Sequence, residues 1–252
     1  MNDFKITKRE VLVSVIIVSI MLLLGTVIHG NINDKLMLEY QKYNTALQIE
    51  NDSDLFSYGM KTNIGNAFVY GDLEAVDTVT YPEIKGEYIY IEKVEERYER
   101  NERTVTKEDS EGNTYTETEV YYEWETENKE SKHSKEIKFC GVTLPYSKLN
   151  LPSSNYIDTI KGNKVWSWKS GERVKVRFKY YGIYTKYTGT IFADLKNETI
   201  PDNTNFYNDQ TISETIDSLK SGWQLVLFWI GWILLTVGFV FGFYYIDNRW
   251  LE

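Results

Sequence analysis

The sequence predicts an α+β membrane protein in which two transmembrane helices flank a β-rich extracytoplasmic domain with a long β-hairpin and membrane-proximal helices. Three observations predict it. Val11 to Ile28 and Trp223 to Ile246 hold no charged residue, and each is long enough for a hydrocarbon core that takes roughly 20 helical residues to cross. Between them, β-branched and aromatic residues alternate with polar ones and are punctuated by Gly, Asn, Asp and Pro, the pattern of half-buried strands. Mean hydropathy is nevertheless −0.41, so the middle of the chain must be strongly polar.

Residues 1–10 read as a cytoplasmic segment, because Lys5, Lys8 and Arg9 flank the first span and Arg249 follows the second, and basic flanks face the cytoplasm. The first span, 11–28, ends in Thr-Val-Ile-His-Gly-Asn without an Ala-x-Ala-like site, so an uncleaved anchor is predicted instead of a signal peptide. Residues 29–66 read as a membrane-proximal helical segment. Ile32, Leu36, Tyr40, Tyr43 and Leu47 recur at helical spacing and predict a helix over Ile32 to Ile49, and Asn51-Asp-Ser-Asp54 reads as a stop and a new cap before a short turn of helix at Leu55 to Tyr58.

Residues 67–200 form the predicted β-rich domain. Its clearest unit is a hairpin with arms from Glu87 to Lys107 and from Thr114 to Glu127 around Asp109-Ser-Glu-Gly-Asn113. In the second arm Thr116, Thr118, Val120, Tyr122, Trp124 and Thr126 share one face, and Glu117, Glu119, Glu123, Glu125 and Glu127 share the other. Arg97, Arg103 and Lys107 have the parity to lie opposite the acids. Tyr121, Glu123, Glu125, Arg97 and Arg103 are therefore the candidate interaction surface. Further strands are predicted at Ala67 to Val79, Glu136 to Val142, Arg173 to Tyr180 and Tyr184 to Leu195, with a short helix at Ser154 to Ile160. In 201–222, Thr211-Ile-Ser-Glu214 has the capping-box pattern and predicts a helix leading into the second span. Residues 223–246 are that span, with tryptophans and tyrosines toward headgroup depth, and 247–252 are a cytoplasmic tail.

The chemistry predicted from these residues is non-enzymatic. The two histidines are His29 at the membrane edge and His133 in a Ser-Lys-His-Ser-Lys turn, and the single cysteine, Cys140, has the surroundings of a buried strand residue. No phosphate loop, nucleophile elbow or metal-ligand spacing occurs, so no catalytic, cofactor or metal residue is assigned. The acidic row is a solvated, ion-paired face more readily than a cation site, since side chains along a straight strand diverge. A net charge of −9 excludes nucleic acid as the expected partner. The expected partners are the lipid bilayer and either a protein or a second copy. Gly231, Gly238 and Gly242 are candidate helix-packing positions, because Gly238-Phe-Val-Phe-Gly242 has the Gly-x-x-x-Gly spacing that lets helices approach.

Tyr88-Ile-Tyr-Ile-Glu-Lys-Val-Glu-Glu-Arg-Tyr98, the acidic, Thr-rich turn, Tyr121-Tyr-Glu-Trp-Glu-Thr126, Gly171-Glu-Arg-Val-Lys-Val-Arg-Phe-Lys-Tyr-Tyr-Gly182, Gly189-Thr-Ile-Phe-Ala193 and Tyr70-Gly-Asp-Leu73 together resemble the transmembrane protein 43 family, also called LUMA. The resemblance covers Ala67 to Ile200. It implies a membrane-adjacent β-rich domain on the non-cytoplasmic side, without known catalytic residues, working through protein or lipid contacts. Members of that family have several spans after the domain, whereas one fits here. The Lys, Asn, Ile and Tyr bias also resembles uncharacterised membrane proteins of low-GC bacteria and their prophages. The expected function is that of a membrane-anchored sensor or scaffold binding a protein, envelope component or lipid; the alternative is an oligomeric channel or membrane-perturbing effector, such as one acting in bacterial defence.

Overall fold

A computed structural model describes residues 7–250. Lys5 and residues 251–252 lie outside the described residues, as do the side chains of Arg249 and Trp250. The elements in chain order are α1 (Lys8–Asn44), β1 (Leu47–Glu50), α2 (Ser53–Thr62), β2 (Gly65–Ala75), β3 (Tyr90–Glu108), β4 (Thr114–His133), β5 (Glu136–Phe139), β6 (Val142–Pro145), β7 (Leu149–Asn150), β8 (Asn155–Lys161), β9 (Val165–Trp166), β10 (Arg173–Val174), β11 (Val176–Ile183), β12 (Lys186–Leu195), β13 (Thr204–Asn208), α3 (Ile212–Leu219) and α4 (Trp223–Trp250). They separate into a helical unit, residues 1–46 with 213–252, and a β-rich body, residues 47–212.

In the helical unit, α1 and α4 are long and apolar enough to cross a membrane. Their apolar side chains are not hidden: Leu23, Val27, Leu234 and Phe241 are each more than three-fifths exposed. A helix that is apolar all round is stable only when something non-aqueous covers it, and a core helix of a soluble domain would be buried by its own protein. At its start α1 has a capping box, in which the Thr7 hydroxyl accepts from Glu10 N–H at 3.3 Å and the Glu10 carboxylate accepts from Thr7 N–H at 2.5 Å.

Polar contacts tie α1 to α4 along their length. Arg9 pairs with Asp247 at 2.6 Å, Ser14 donates to Tyr244 Oη at 3.1 Å, Trp232 Nε1 donates to the Met21 carbonyl at 2.9 Å, and Trp229 Nε1 meets His29 Nδ1 at 3.1 Å. The close approach is made at Gly25, where a Cβ would stand 2.5 Å from Trp232 Nε1. The glycines singled out in α4 do not serve this contact, for a Cβ on Gly231, Gly238 or Gly242 would meet nothing within 4 Å. Small residues are used here, but on α1, to seat a large partner from α4.

The body is built on two sheets. A seven-stranded sheet runs in the order β6-β5-β2-β12-β13-β7, and β1 joins β2 in parallel beside Ala67 to Tyr70. A four-stranded sheet runs β4-β3-β11-β8, and β9 and β10 form a small separate hairpin. The main core lies on the larger sheet beneath α2. Ile49, Phe56, Leu73, Ile137, Phe139, Ile191, Leu195 and Ile200 are at most 1% exposed, and the Phe139 ring meets Phe56 and Phe206 edge-on at 6.0 and 5.9 Å. Burying such rings contributes about 1.5–3 kcal/mol each. A smaller cluster of Tyr81, Tyr88, Ile91 and Tyr180 packs the 79–88 segment against the second sheet.

Several expected boundaries are corrected. The helix predicted through Ile49 stops at Asn44, and Leu47–Glu50 is a strand, because pairing with β2 and burial of Ile49 outweigh a helical spacing that continues by coincidence. The turn at Leu55 to Tyr58 is a helix of ten residues, capped by Asp52. The strand expected at Glu136 to Val142 is a hairpin turned by Cys140 and Gly141 at φ 44° and 79°, values that favour glycine and make the turn tight. Cys140 is thus buried in a turn and not within a strand. Ser154 to Ile160, expected as helix, is strand β8, held by its ladder to β11. His133 is the last residue of β4 and stacks on Tyr146 with ring centroids 4.5 Å apart.

Candidate interaction surface

The hairpin is the most distinctive feature of the body. Its turn is set by Asp109, whose carboxylate accepts the N–H groups of Glu111 and Asn113 at 2.9 Å each; the bond from Asn113 and then that from Glu111 hold its acid below the ordinary range. β3 and β4 pair from Tyr90↔His133 to Glu108↔Thr114, with one bulge where Glu95 faces Asn128 and Glu96 faces Thr126, so that Glu127 is spare. Only the stretch Tyr90 to Arg97 has β11 on its other side. Beyond Asn101 the two arms form a two-stranded ribbon with solvent-facing surfaces on both sides, and Tyr115, Val120 and Tyr122 are all exposed.

One face carries the acids, and cations satisfy most of them. Lys107 pairs with Glu117 at 2.6 Å, Arg103 with Glu119 at 2.6 Å, and Arg97 with both Glu95 and Glu127 at 3.0 Å. Arg103 also lies 5.6 Å over the Tyr121 ring. Asn101 donates to Glu125 at 2.5 Å and to Glu123 at 3.3 Å, and Lys169 reaches Glu125 at 2.5 Å. The last contact, followed by Asn101, keeps the Glu125 acid below its ordinary value. Exposed pairs of this kind gain little from an attraction that water screens and that costs side-chain entropy, so their effect is more on register and orientation than on stability. Of the five residues the sequence selects, Arg103 and Tyr121 are brought together, Glu123 and Glu125 share Asn101, and Arg97 is the cross-strand partner of Glu125 at the base of the ribbon, its guanidinium turned to Glu95 and Glu127.

The other face is aromatic. Tyr98 stacks on Tyr122 at 5.7 Å and tilts against Trp124 at 5.2 Å, the Arg177 guanidinium lies 4.0 Å over Trp124, and Lys175 lies 5.7 Å over Tyr98. Beneath them Glu96 accepts from Arg177 at 2.5 Å and Lys179 at 3.0 Å. Burial alone would raise the Glu96 acid, but the bonds from Lys179 and Arg177 outweigh it and hold it below the usual carboxylate range. This ladder of rings and cations locks the ribbon's base to β11.

Sequence reasoning missed a clamp on the acidic face. Glu99 is buried, and its carboxylate accepts from Ser167 Oγ at 2.7 Å, while Lys169 from the same turn takes Glu125. The available signal was the Trp166-Ser-Trp168-Lys-Ser-Gly171 turn with its two tryptophans, but nothing local points it at Glu99.

The residues weighed for chemistry are placed separately. His29 is taken by Trp229, His133 by Tyr146, and the Cys140 thiol is pushed up to about 11 by burial and then by the nearby Asp52 charge. A thiol so disfavoured as thiolate is a poor nucleophile at neutral pH. Among the described residues no group of three or more His, Cys, Asp or Glu is arranged to hold a metal ion. No protein-family model, curated protein or solved structure matches the chain.

Proposed function

We propose that the chain is a two-pass membrane protein with both termini cytoplasmic, and that its β-rich body, outside the cytoplasm, acts without catalysis as a sensor or scaffold for a protein, envelope component or lipid. The observation that carries this reading is the ribbon: it leaves the sheet after Arg97, most of its acids are already paired with cations, and its Tyr98, Tyr122 and Trp124 stack is fixed by Arg177. Such preorganisation lowers the ordering cost of binding. The two exposed apolar helices support membrane anchoring. The resemblance to the transmembrane protein 43 family belongs to the same proposal, as a membrane-adjacent domain working through contacts.

A photo-crosslinking residue in place of Tyr122, in the full chain produced in cells, is expected to give one discrete adduct, and impermeant maleimide is expected to label Asp109→Cys in intact cells. Absence of any adduct from positions 122, 103 and 123 would defeat the contact role; labelling only after permeabilisation would reverse the topology. A second reading, self-association or an oligomeric pore, is favoured by the open face of α4, where Gly238 and Gly242 lie beside Leu235, Phe239 and Phe243 with nothing packed on them. Native mass spectrometry from nanodiscs separates the two, since a closed ring of copies belongs only to the second.

A further inference from the structure

We propose that the β9–β10 turn is a docking element for anionic lipid headgroups. The proposal rests on the reading of the body as a membrane-tethered contact module and narrows one of its partners to a lipid surface.

Its frame is rigid. β9 and β10 pair through Val165↔Val174 and Trp166↔Arg173, and the Arg173 guanidinium donates to the Lys164 carbonyl at 3.2 Å. Ser167 is 2% exposed. Its hydroxyl donates to Glu99 at 2.7 Å and accepts the N–H groups of Lys169 and Ser170 at 3.2 and 3.3 Å, and its carbonyl accepts from Gly171 N–H at 3.0 Å. A buried carboxylate thus fixes the centre of the turn from beneath.

What this frame presents is unusual for a water-facing surface. Trp168 is 92% exposed and Trp166 51%, although an indole is among the side chains most favoured by removal from water. The turn is also basic in an acidic protein: residues 161–177 hold six Lys or Arg and one acid, whereas the whole chain has a net charge of −9. Lys169 and Arg177 are committed to Glu125 and Glu96. Lys161, Lys164, Arg173 and Lys175 are exposed and have no carboxylate partner among the described residues. Indoles flanked by cations that no carboxylate holds are the composition that settles at a headgroup layer, the ring in the interface and the cations on lipid phosphates. On the two-pass reading proposed above, the two candidate spans tether the body to a bilayer.

The test uses the full chain in zwitterionic nanodiscs, so that the only anionic surface is that of added vesicles. Vesicles of phosphatidylcholine with phosphatidylglycerol are expected to carry the protein on flotation, and pure phosphatidylcholine vesicles are not. W166A/W168A is expected to weaken flotation at least tenfold, and K161A/K164A to weaken it by roughly fivefold per cation, with the dependence steepening at low salt. Ser167→Ala leaves both indoles and every cation in place and is expected to weaken it severalfold; wild-type flotation of that variant would overturn the role given to the Glu99 clamp. Equal flotation of wild type and W166A/W168A, or capture by soluble heparin without flotation, would overturn the lipid site. Crosslinking from Tyr122 reports separately on the contact role of the ribbon, so failure here leaves that reading standing or falling on its own data.

Discussion

Removing the charge of Glu96 tests how the ribbon is held to the sheet. Its side chain is 12% exposed and accepts from Arg177 at 2.5 Å and Lys179 at 3.0 Å. Glu96→Gln keeps the shape and one acceptor oxygen but loses the charge that both cations face. Hydrogen bonds to charged groups contribute about 1.5–3 kcal/mol each. One neutral bond survives in the variant and the cations retain some solvent, so the net loss is about 2 kcal/mol. For a chain of this size that lowers Tm by about 4–8 °C. Near-UV circular dichroism of the nanodisc-held protein reads it through the Tyr98, Tyr122 and Trp124 stack.

The pH dependence fixes the cause. The native acid sits below its ordinary value of 4.5, so folding favours the charged form. Its stabilisation is complete above the ordinary value and is lost as pH falls through the depressed native one. The gap between wild type and E96Q is therefore expected to stay flat at pH values above the ordinary carboxylate range and to close as the pH is taken down through that range and below it. Other carboxylates titrate in both proteins and cancel in the difference. A gap below about 1 °C at pH 7, against the loss expected for charge-assisted bonds, or one that does not shrink at any acid pH where the wild type still folds, would refute the reasoning.

Cys140, with its thiol pushed up to about 11, is expected to react with iodoacetamide at pH 8 at least a hundredfold more slowly than free cysteine, and to react at the ordinary rate once the protein is unfolded; comparable rates before and after unfolding would contradict its burial. Gly25→Leu drives a side chain into the indole of Trp232, which already stands 2.5 Å from the position of a Cβ. Electron–electron resonance between spin labels on Val27 and Ile230 is expected to show a longer, broader distance, and an unchanged distribution would remove the helix contact assigned to Gly25.

What the residues declare depends on how local the decisive interaction is. The two apolar runs and the ribbon's alternation are visible because each repeats many times within one segment, and the parity of Arg103 and Lys107 already aims them at Glu119 and Glu117. Leu47–Glu50 and Asn155–Lys161 carry helical spacing and stay illegible for the opposite reason: each is a strand only because β2 or β11 lies beside it, and propensity yields to such pairing. The Ser167–Glu99 bond joins residues 68 apart, and no periodicity encodes it. The Gly238-x-x-x-Gly242 spacing marks a place where a helix, the first span or a second copy, is able to approach, but the contact between α1 and α4 is made where the Trp232 indole sits over the isolated Gly25, a fit set by the shape of Trp232 and carrying no spacing signal.

The spare Glu127 limits how the ribbon is able to change length. Loss of that residue alone returns the ladder to regular pairing and leaves every other partnership as it stands. Loss of any one residue between Thr116 and Thr126 throws the residues on one side of the gap out of phase, so that a ring such as Trp124 trades places with an acid such as Glu125. Within the arms, viable insertions and deletions therefore come in twos, and single steps are confined to position 127 and to the Asp109–Asn113 loop. The bulge is a joint at which a single residue is gained or lost without exchanging the acidic face for the aromatic one, whereas reach changes only by paired steps in the arms or at the loop.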